Sequence, residues 1–274
     1  MSRARRDIFA TKDLAHDSVS GAGPTTSGTQ MQIANPVANL RLNADGSGPL
    51  DRQILFGHPV CSLGPATTLI RDETSGYVGH VAKSDLCAPT PPTHRVTART
   101  TLLFSEPNIK APQPIAVSCG SLLSITEING PFAQIQTGLF TITSHLTPIA
   151  THHPDLAATA EILQGTPYLW GGNSAFGIDC SGLVQLACQA AHLPCPGDSD
   201  QQMNQLGVDV RDGSYQRNDL LFWKGHVALV FDPNTLIHAN AHHMAVAFEP
   251  IETAIKRILS AGDGHVLRHA RLAV

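Results

Sequence analysis

Cys180 is the residue of this sequence whose neighbours best suit it to nucleophilic chemistry. Apolar residues follow it at i+3, i+4, i+7 and i+8, a spacing that predicts a helix with one buried face. Since Asp179 is a favoured N-cap residue, Cys180 is expected in the first turn. The helix dipole and the unpaired N–H groups there favour a thiolate, which makes Cys180 a candidate nucleophile. The alternative is a free cysteine that serves as a small buried hydrophobe.

Two histidines in apolar runs near the end of the chain are candidates for the base that such a nucleophile needs. His226 opens the run HVALVF and His238 lies within LIHA, and both runs predict strands. In a regular hairpin these two residues would face each other on one side of the sheet. One imidazole could then take the thiol proton while the other fixes its tautomer. His242 and His243 are alternatives for the second role, and His226 could instead be an exposed strand-end residue.

The elements around these residues predict an α+β arrangement for residues 151–274, with helices before and after an antiparallel sheet. The predicted helices cover 154–163, 180 to about 194, and 251–259. The predicted strands cover 220–223, 226–231, 236–239, 246–249 and 266–272.

The residues ahead of this region have a different texture, with short alternating runs between turn residues, which predicts short strands. A Pro/Thr-rich break at 89–93 divides them, so 46–90 and 91–150 are interpreted as two small β-barrels. The alternative is a β-rich region of no defined type. Residues 1–45 are predicted to be an N-terminal extension, and 18–35, rich in Ser, Gly and Thr, to be a flexible linker.

Composition excludes several classes of function. The 274 residues are 42% hydrophobic, enough for a packed core, and carry a net charge of −4, which gives no electrostatic reason to bind nucleic acid or an anionic membrane. The six cysteines form no CxxC pair, so no zinc or thioredoxin-type site is predicted. The first residues lack the apolar run of a secretory signal, and we expect a cytoplasmic protein with reduced thiols.

Four motifs, taken together, resemble those of the NlpC-type cysteine peptidases. They are Asp-Cys-Ser-Gly-Leu-Val around Cys180, Pro-Tyr-x-Trp-Gly-Gly from Pro167, Gly-His-Val around His226 and Ile-His-Ala around His238. The resemblance covers residues 154–272 and implies a papain-like α+β fold. It also implies that Cys180 is the nucleophile, His226 the general base and His238 the third member of the triad.

The resemblance extends to the β-rich region and to the substrate pocket. The segment Gly-Tyr-Val-Gly-His-Val at 76–81 resembles the signature strand of bacterial SH3-like domains, with His80 where a Trp is usual, so both barrels are interpreted as SH3-like. Tyr168 matches the tyrosine near the nucleophile, with a role at the oxyanion. The residues that would bind a substrate's free amino terminus are Asp179, Ser181, Asp198 and Ser199, with Tyr77 and Glu73 (or Asp72) from the first barrel. For Asp198 and Ser199 the alternative is a helix cap.

The function implied by the resemblance is hydrolysis of the γ-D-glutamyl–meso-diaminopimelate bond in short murein peptides with a free N-terminal L-Ala. Such an enzyme would recycle cell-wall peptides and would need no metal or organic cofactor. One alternative is a papain-like acyltransferase or an amidase acting on another amide. Another is an inert cell-wall-binding protein, although all three triad residues are present. Whether the third residue of the substrate is diaminopimelate or Lys is left open.

Overall fold

The structure is a computed structural model that describes residues 28–64, 67–211 and 213–273. The chain divides into two compact units, Met1–Thr90 and Pro91–Val274. Most of the predicted N-terminal extension, residues 1–27, lies outside the described residues. No helix in the described ranges combines the length and the apolar character needed to cross a membrane.

The first unit is built on one curled, antiparallel seven-stranded sheet with the order β3-β2-β6-β5-β4-β1-β7. Its core packs Ile33, Leu40, Ile54, Val60 and Ile70 together. A 3-10 turn at Lys83–Asp85 precedes the last strand. The strands are β1 (Thr29–Ile33), β2 (Val37–Arg41), β3 (Leu50–Leu55), β4 (Pro59–Ser62), β5 (Leu69–Asp72), β6 (Val78–His80) and β7 (Leu86–Cys87).

The sequence-based boundary at residue 45 is wrong, because β1 and β2 belong to this sheet. The linker prediction fails over residues 29–33 for the same reason, and its first part falls outside the described residues. The Ser, Gly and Thr content of the segment obscured the alternation in Gln-Met-Gln-Ile from Gln30, which is a strand signal.

The second unit starts with short strands in three small sheets, ordered β10-β9, β11-β8-β15 and β12-β13-β14. A 3-10 turn at Thr143–His145 precedes the last of these strands. The short strands agree with the sequence-based prediction, and their assignment to SH3-like barrels stays an interpretation. The strands are β8 (His94–Val96), β9 (Thr100–Leu103), β10 (Ile115–Ser118), β11 (Leu122–Leu123), β12 (Ile125–Asn129), β13 (Phe132–Ile135), β14 (Phe140–Ile142) and β15 (Leu146–Pro148).

The rest of the second unit mixes helices with a six-stranded antiparallel sheet, ordered β18-β23-β19-β20-β21-β22. The predicted α+β arrangement is confirmed, with the first two helices and the closing strand shorter than predicted. The helices are α1 (Leu156–Glu161), α2 (Cys180–Ala190), α3 (Ser199–Gln205) and α4 (Ile251–Ser260). The strands are β16 (Asn173–Ser174), β17 (Gly177–Ile178), β18 (Val208–Asp209), β19 (Leu220–Trp223), β20 (His226–Asp232), β21 (Thr235–Asn240), β22 (Ala245–Pro250) and β23 (Arg268–Arg271).

Helix α4 covers one face of this sheet. Its residues Ile251, Ala254 and Ile258 pack against Val230 and Leu236, among others. Because side chains alternate along a strand, the residues of β20 and β21 that share parity with Val230 and Leu236 lie on the face toward α4. Both His226 and His238 are such residues.

Candidate active site

Asp179 fixes the start of α2 and the loop before it. One carboxylate oxygen accepts hydrogen bonds from the Gly182 N–H at 2.7 Å and from the Ser181 hydroxyl at 3.0 Å. The other oxygen accepts the Gly171 N–H at 3.0 Å. The predicted cap is therefore confirmed, and Cys180 is the first helical residue. Asp179 and Ser181 are both buried, and each already uses its side chain within this cap, so their roles toward a substrate stay predictions.

The glycines of the motif are required by close packing between the loop and the helix. A Cβ at Gly182 would lie 2.5 Å from the carbonyl oxygen of Gly172, and a Cβ at Gly172 would lie 2.5 Å from that of Gly177. No side chain fits at such distances without moving backbone atoms. Asp179 and these glycines thus hold the turn that carries Cys180.

The Cys180 thiol is 6% exposed and lies against β20. The backbone N–H of Val227 hydrogen-bonds to its sulfur, which brings the residue after His226 into direct contact with the thiol. Burial, with a further contribution from the charge of Asp179, raises the pKa of Cys180 to about 12, although the N–H groups of Val227, Ser181 and Cys180 act in the opposite direction. Burial thus acts against the effect of the helix start and outweighs it, so the thiol form is favoured.

The two predicted histidines are in contact. His226 Nε2 lies 2.9 Å from His238 Nδ1, a hydrogen-bond distance. His238 is 1% exposed, whereas His226 is half-buried and packs beside the Trp223 ring at 5.7 Å between centroids. The structure thus brings the two imidazoles together, and the residue that follows His226 contacts the Cys180 thiol.

The register of the hairpin differs from the predicted one. A regular hairpin with His226 opposite His238 would pair Leu229 with Thr235, but Leu229 pairs with Ile237. The observed register of Leu229 and Val230 is therefore offset by two positions from the predicted one, and a one-residue irregularity separates it from the Asp232–Thr235 pair at the turn. A shift of two keeps every side chain on its own face, so the histidines meet diagonally instead of directly.

The hydrogen-bonded chain continues beyond His238 to two residues that the sequence analysis did not identify. His238 Nε2 lies 3.1 Å from a carboxylate oxygen of Glu249, which is also buried. Arg257 donates to both oxygens of that carboxylate, at 2.9 and 2.7 Å. A signal for Glu249 existed in the sequence, since it is an acidic residue within a predicted apolar strand, and such a residue needs a buried partner.

The charge states along this chain follow from its contacts. Burial holds the pKa of His226 below its ordinary 6.5, helped by the charges of His238 and Arg257 and opposed by Glu249. Burial also lowers the pKa of His238, against the opposing effect of Glu249. For Glu249, burial acts to raise the pKa, but the hydrogen bonds from Arg257 and His238 outweigh it, so the net shift is downward. At neutral pH, therefore, His226 and His238 are both neutral and Glu249 is ionised.

The same region contains a set of potential metal ligands, but its contacts do not suit a metal ion. His238, His243 and Glu249 offer donor atoms within 4.8 Å of one another. Arg257 occupies both oxygens of Glu249, and both nitrogens of His238 have partners. His243 instead contacts Asn240 Oδ1 at 3.0 Å, and the exposed His242 packs on the His243 ring. The histidine in contact with His226 is thus His238, not His242 or His243.

Helix α3 begins beside the first turn of α2. Its buried Gln202 donates a hydrogen bond to the Ser181 carbonyl at 2.9 Å. Asp198 precedes this helix and Ser199 opens it, and both are half-buried, one turn before Gln202. Tyr168 is also half-buried, and its backbone N–H donates to the Met244 carbonyl at 2.9 Å. The pocket roles of these residues stay predictions.

Tyr77, Glu73 and its alternative Asp72, the candidates from the first unit, have contacts within that unit. Tyr77 belongs to its buried core, with the Arg52 guanidinium 5.0 Å from the ring centroid. Glu73 forms an ion pair with Arg71 at 2.9 Å, and Asp72 accepts the Thr74 N–H at 3.0 Å within a turn. Their predicted contact with the substrate is untested.

A shielded thiol at a helix start, next to a pair of neutral imidazoles anchored by a carboxylate, can carry out nucleophilic acyl transfer. With the mixed α+β fold, this chemistry is that of the cysteine peptidases, a class of hydrolases.

Comparison with known proteins supports this class and finds a family that part of the chain matches. Residues 165–259 match the model of the NlpC/P60 family. The chain thus contains an NlpC/P60 cysteine peptidase domain. The match covers Cys180, His226, His238, Glu249 and Arg257.

Similar proteins include two bacterial peptidases and one solved structure. A γ-D-glutamyl-L-lysine dipeptidyl-peptidase of Bacillus cereus is 34% identical over 36% of this chain, and the matched part spans only 32% of that relative. Dipeptidyl-peptidase 6 of Lysinibacillus sphaericus is 27% identical over 74% of this chain and 85% of its own length. The crystal structure of an NlpC/P60 family protein from Bacillus cereus has a TM-score of 0.74 at 21% identity, covering 89% of this chain and 99% of that one, which shows a shared fold.

Proposed function

We propose that this protein is a cytoplasmic cysteine peptidase that cleaves the γ-D-glutamyl–diamino acid bond of short murein peptides with a free N-terminal L-Ala. Its products would be the dipeptide L-Ala-γ-D-Glu and a fragment starting with the diamino acid. The observation that carries the proposal is the buried Cys180 thiol, in contact with β20 next to His226, which lies at hydrogen-bond distance from His238 on β21.

The proposed mechanism follows from the charge states of the site. Because Cys180 rests as a thiol, His226 removes its proton while the sulfur attacks the γ-carbonyl carbon. Backbone N–H groups at the start of α2 lie close to the oxyanion that forms. The tetrahedral intermediate collapses, the C–N bond breaks, and His226 returns the proton to the leaving amine. A water molecule, activated by His226, then hydrolyses the thioester and frees Cys180.

The proposed substrate rests on the names of two relatives and on the surroundings of α3. One relative is named for the γ-D-glutamyl-L-lysine bond, and both are named dipeptidyl-peptidases, which act from a free amino terminus. In this chain the half-buried Asp198 stands where α3 starts beside the first turn of α2. A carboxylate at this position suits the ammonium group of a substrate that extends two residues beyond the cleaved bond.

Mass spectrometry of L-Ala-γ-D-Glu-meso-diaminopimelate and of its L-Lys counterpart, incubated with the wild type and with Cys180→Ala, tests the proposal. We expect the wild type to release L-Ala-γ-D-Glu, and the variant to lose at least about three orders of magnitude of activity. The ratio of the two rates would assign the diamino acid. Cleavage of N-acetylated peptides at the same rate as free ones would contradict recognition of the amino terminus. If neither the two free peptides nor their N-acetylated forms were cleaved, the acyltransferase, amidase or wall-binding alternatives would be favoured.

A further inference from the structure

Glu249 and Arg257 occupy a defined place relative to the proposed triad. The carboxylate of Glu249 contacts the nitrogen of His238 that does not face His226. Arg257 comes from a different element, α4, and holds the carboxylate through two hydrogen bonds. An anchor of this kind fixes the position of both oxygens, because the guanidinium fork and the carboxylate are both planar.

This contact determines which nitrogen of His238 carries the proton. An ionised carboxylate can only accept hydrogen bonds, so His238 must donate from Nε2. Its Nδ1 is then the acceptor, and His226 must donate to it from its own Nε2. The remaining nitrogen of His226, Nδ1, keeps its lone pair, which is the state a general base for Cys180 requires.

We propose that Glu249, held in place by Arg257, is a positioning residue that fixes the tautomers of His238 and, through it, of His226. This proposal rests on the function proposed above and adds two residues to it. The site would thus consist of five residues, Cys180, His226, His238, Glu249 and Arg257. As the thiol proton moves to His226, the positive charge that develops there is stabilised through His238 by the carboxylate.

The test uses two replacements of Glu249. Glu249→Met removes the acceptor and keeps the approximate length of the side chain. Glu249→Gln retains one oxygen that can accept from His238, at the loss of a hydrogen bond to Arg257. We expect Glu249→Met to lower kcat about 10- to 100-fold with little change in KM, and Glu249→Gln to retain part of the lost activity. The matched control is Asp219→Asn, which disrupts another buried His–carboxylate–Arg cluster in the same sheet and should leave kcat within about twofold.

The deciding readout is the tautomer of each imidazole, since a purely structural role for Glu249 would not change it. Long-range ¹H–¹⁵N spectra of the full chain with ¹⁵N-labelled histidine distinguish Nδ1–H from Nε2–H forms. Variants His226→Gln and His238→Gln would identify the two sets of signals among the fourteen histidines. We expect both residues as Nε2–H in the wild type and in Glu249→Gln, and a mixture of tautomers in Glu249→Met.

The results separate this proposal from the proposed function. Wild-type His238 protonated on Nδ1 would overturn it even if Glu249→Met failed to fold. Unchanged tautomers and an unchanged kcat in Glu249→Met would also overturn it, and peptide cleavage that depends on Cys180 would still support the function. The expected tautomers in an enzyme that cleaves neither peptide would support the positioning role and contradict the murein-peptide assignment.

Discussion

The sheet of the peptidase domain contains two clusters of the same composition, each with a histidine, a carboxylate and an arginine. In the first, Glu249 contacts His238 and Arg257. In the second, the fully buried Asp219 lies 2.8 Å from His269 and accepts two hydrogen bonds from Arg271, at 2.7 and 2.8 Å. A search by composition alone would rate these two clusters equally.

Their connections distinguish them. The second cluster joins the start of β19 to β23, elements about 50 residues apart in sequence, and so fastens the closing strand to the sheet. In the first cluster the carboxylate and the arginine are only eight residues apart in sequence. Its histidine, His238, makes a further contact with His226. We infer that the second cluster stabilises the fold while the first serves the thiol. What decides the role of a buried carboxylate here is what its histidine contacts next.

The largest expected difference between the clusters is in activity when each histidine is removed. His238→Ala should lower kcat about 100-fold or more, because His226 loses the acceptor that orients it. His269→Ala should leave the kcat of the folded enzyme within about twofold. Peptide hydrolysis measured on both variants, with the folded fraction checked by circular dichroism, tests the contrast. An equal loss at both positions would show that the two clusters do not differ as inferred.

The next effect is on stability, and its sign is set by the lowered pKa of Asp219. Burial acts to raise that pKa, but hydrogen bonds from Arg271, the Gln216 N–H and His269 outweigh it, so the net shift is downward from 3.8. A group with a lowered pKa stabilises the fold above its unfolded value, and this contribution is lost as the pH falls through the folded value. Asp219→Asn should therefore lower the free energy of unfolding by about 3 kcal/mol at pH 7.

Urea unfolding of the wild type and of Asp219→Asn, at pH 7 and at pH 3, measures this contribution. The difference in unfolding free energy between the two proteins should be smaller at pH 3, since the unfolded wild type then binds a proton that the folded state resists. A difference that is the same at both pH values would contradict an ionised Asp219 in the folded state.

The two clusters also show what a sequence can predict in this protein. The helix start at Cys180 followed from a local cap, Asp179, and the strands of His226 and His238 followed from apolar runs. Glu249 and Arg257 lie on different elements that meet only when α4 packs on the sheet, so spacing along the chain did not indicate their contact. The shift in hairpin register depends on a local irregularity, and the protonation of Cys180 depends on burial. Both are properties of the packed structure.

The protonation state of Cys180 gives a third test. It shows whether His226 takes the thiol proton before the substrate binds or only during the attack. With a pKa raised to about 12 by burial, Cys180 should react with iodoacetamide about tenfold faster for each pH unit between 6 and 9. A resting thiolate–imidazolium pair would instead give a rate that levels off in the acidic range. Cys180→Ser, which retains the other five cysteines, provides the background to subtract.

The smallest expected effects come from shortening the fork that holds each carboxylate. Arg257→Lys keeps the positive charge beside Glu249 but cannot donate two parallel hydrogen bonds, so the carboxylate should be held less firmly. We expect kcat to fall about three- to tenfold, with less than about 1 kcal/mol lost in stability, because Arg257 and Glu249 are only eight residues apart and their contact fastens no distant strand. Arg271→Lys should show the reverse, with unchanged kcat and about 1 kcal/mol lost, because Arg271 fastens β23 through two hydrogen bonds to Asp219 and a third to the Ser214 carbonyl. Steady-state kinetics and urea unfolding on both variants test this crossed pattern. If both changes affected only stability, Arg257 would be one more structural arginine, and the chain of contacts from Cys180 would end at His238.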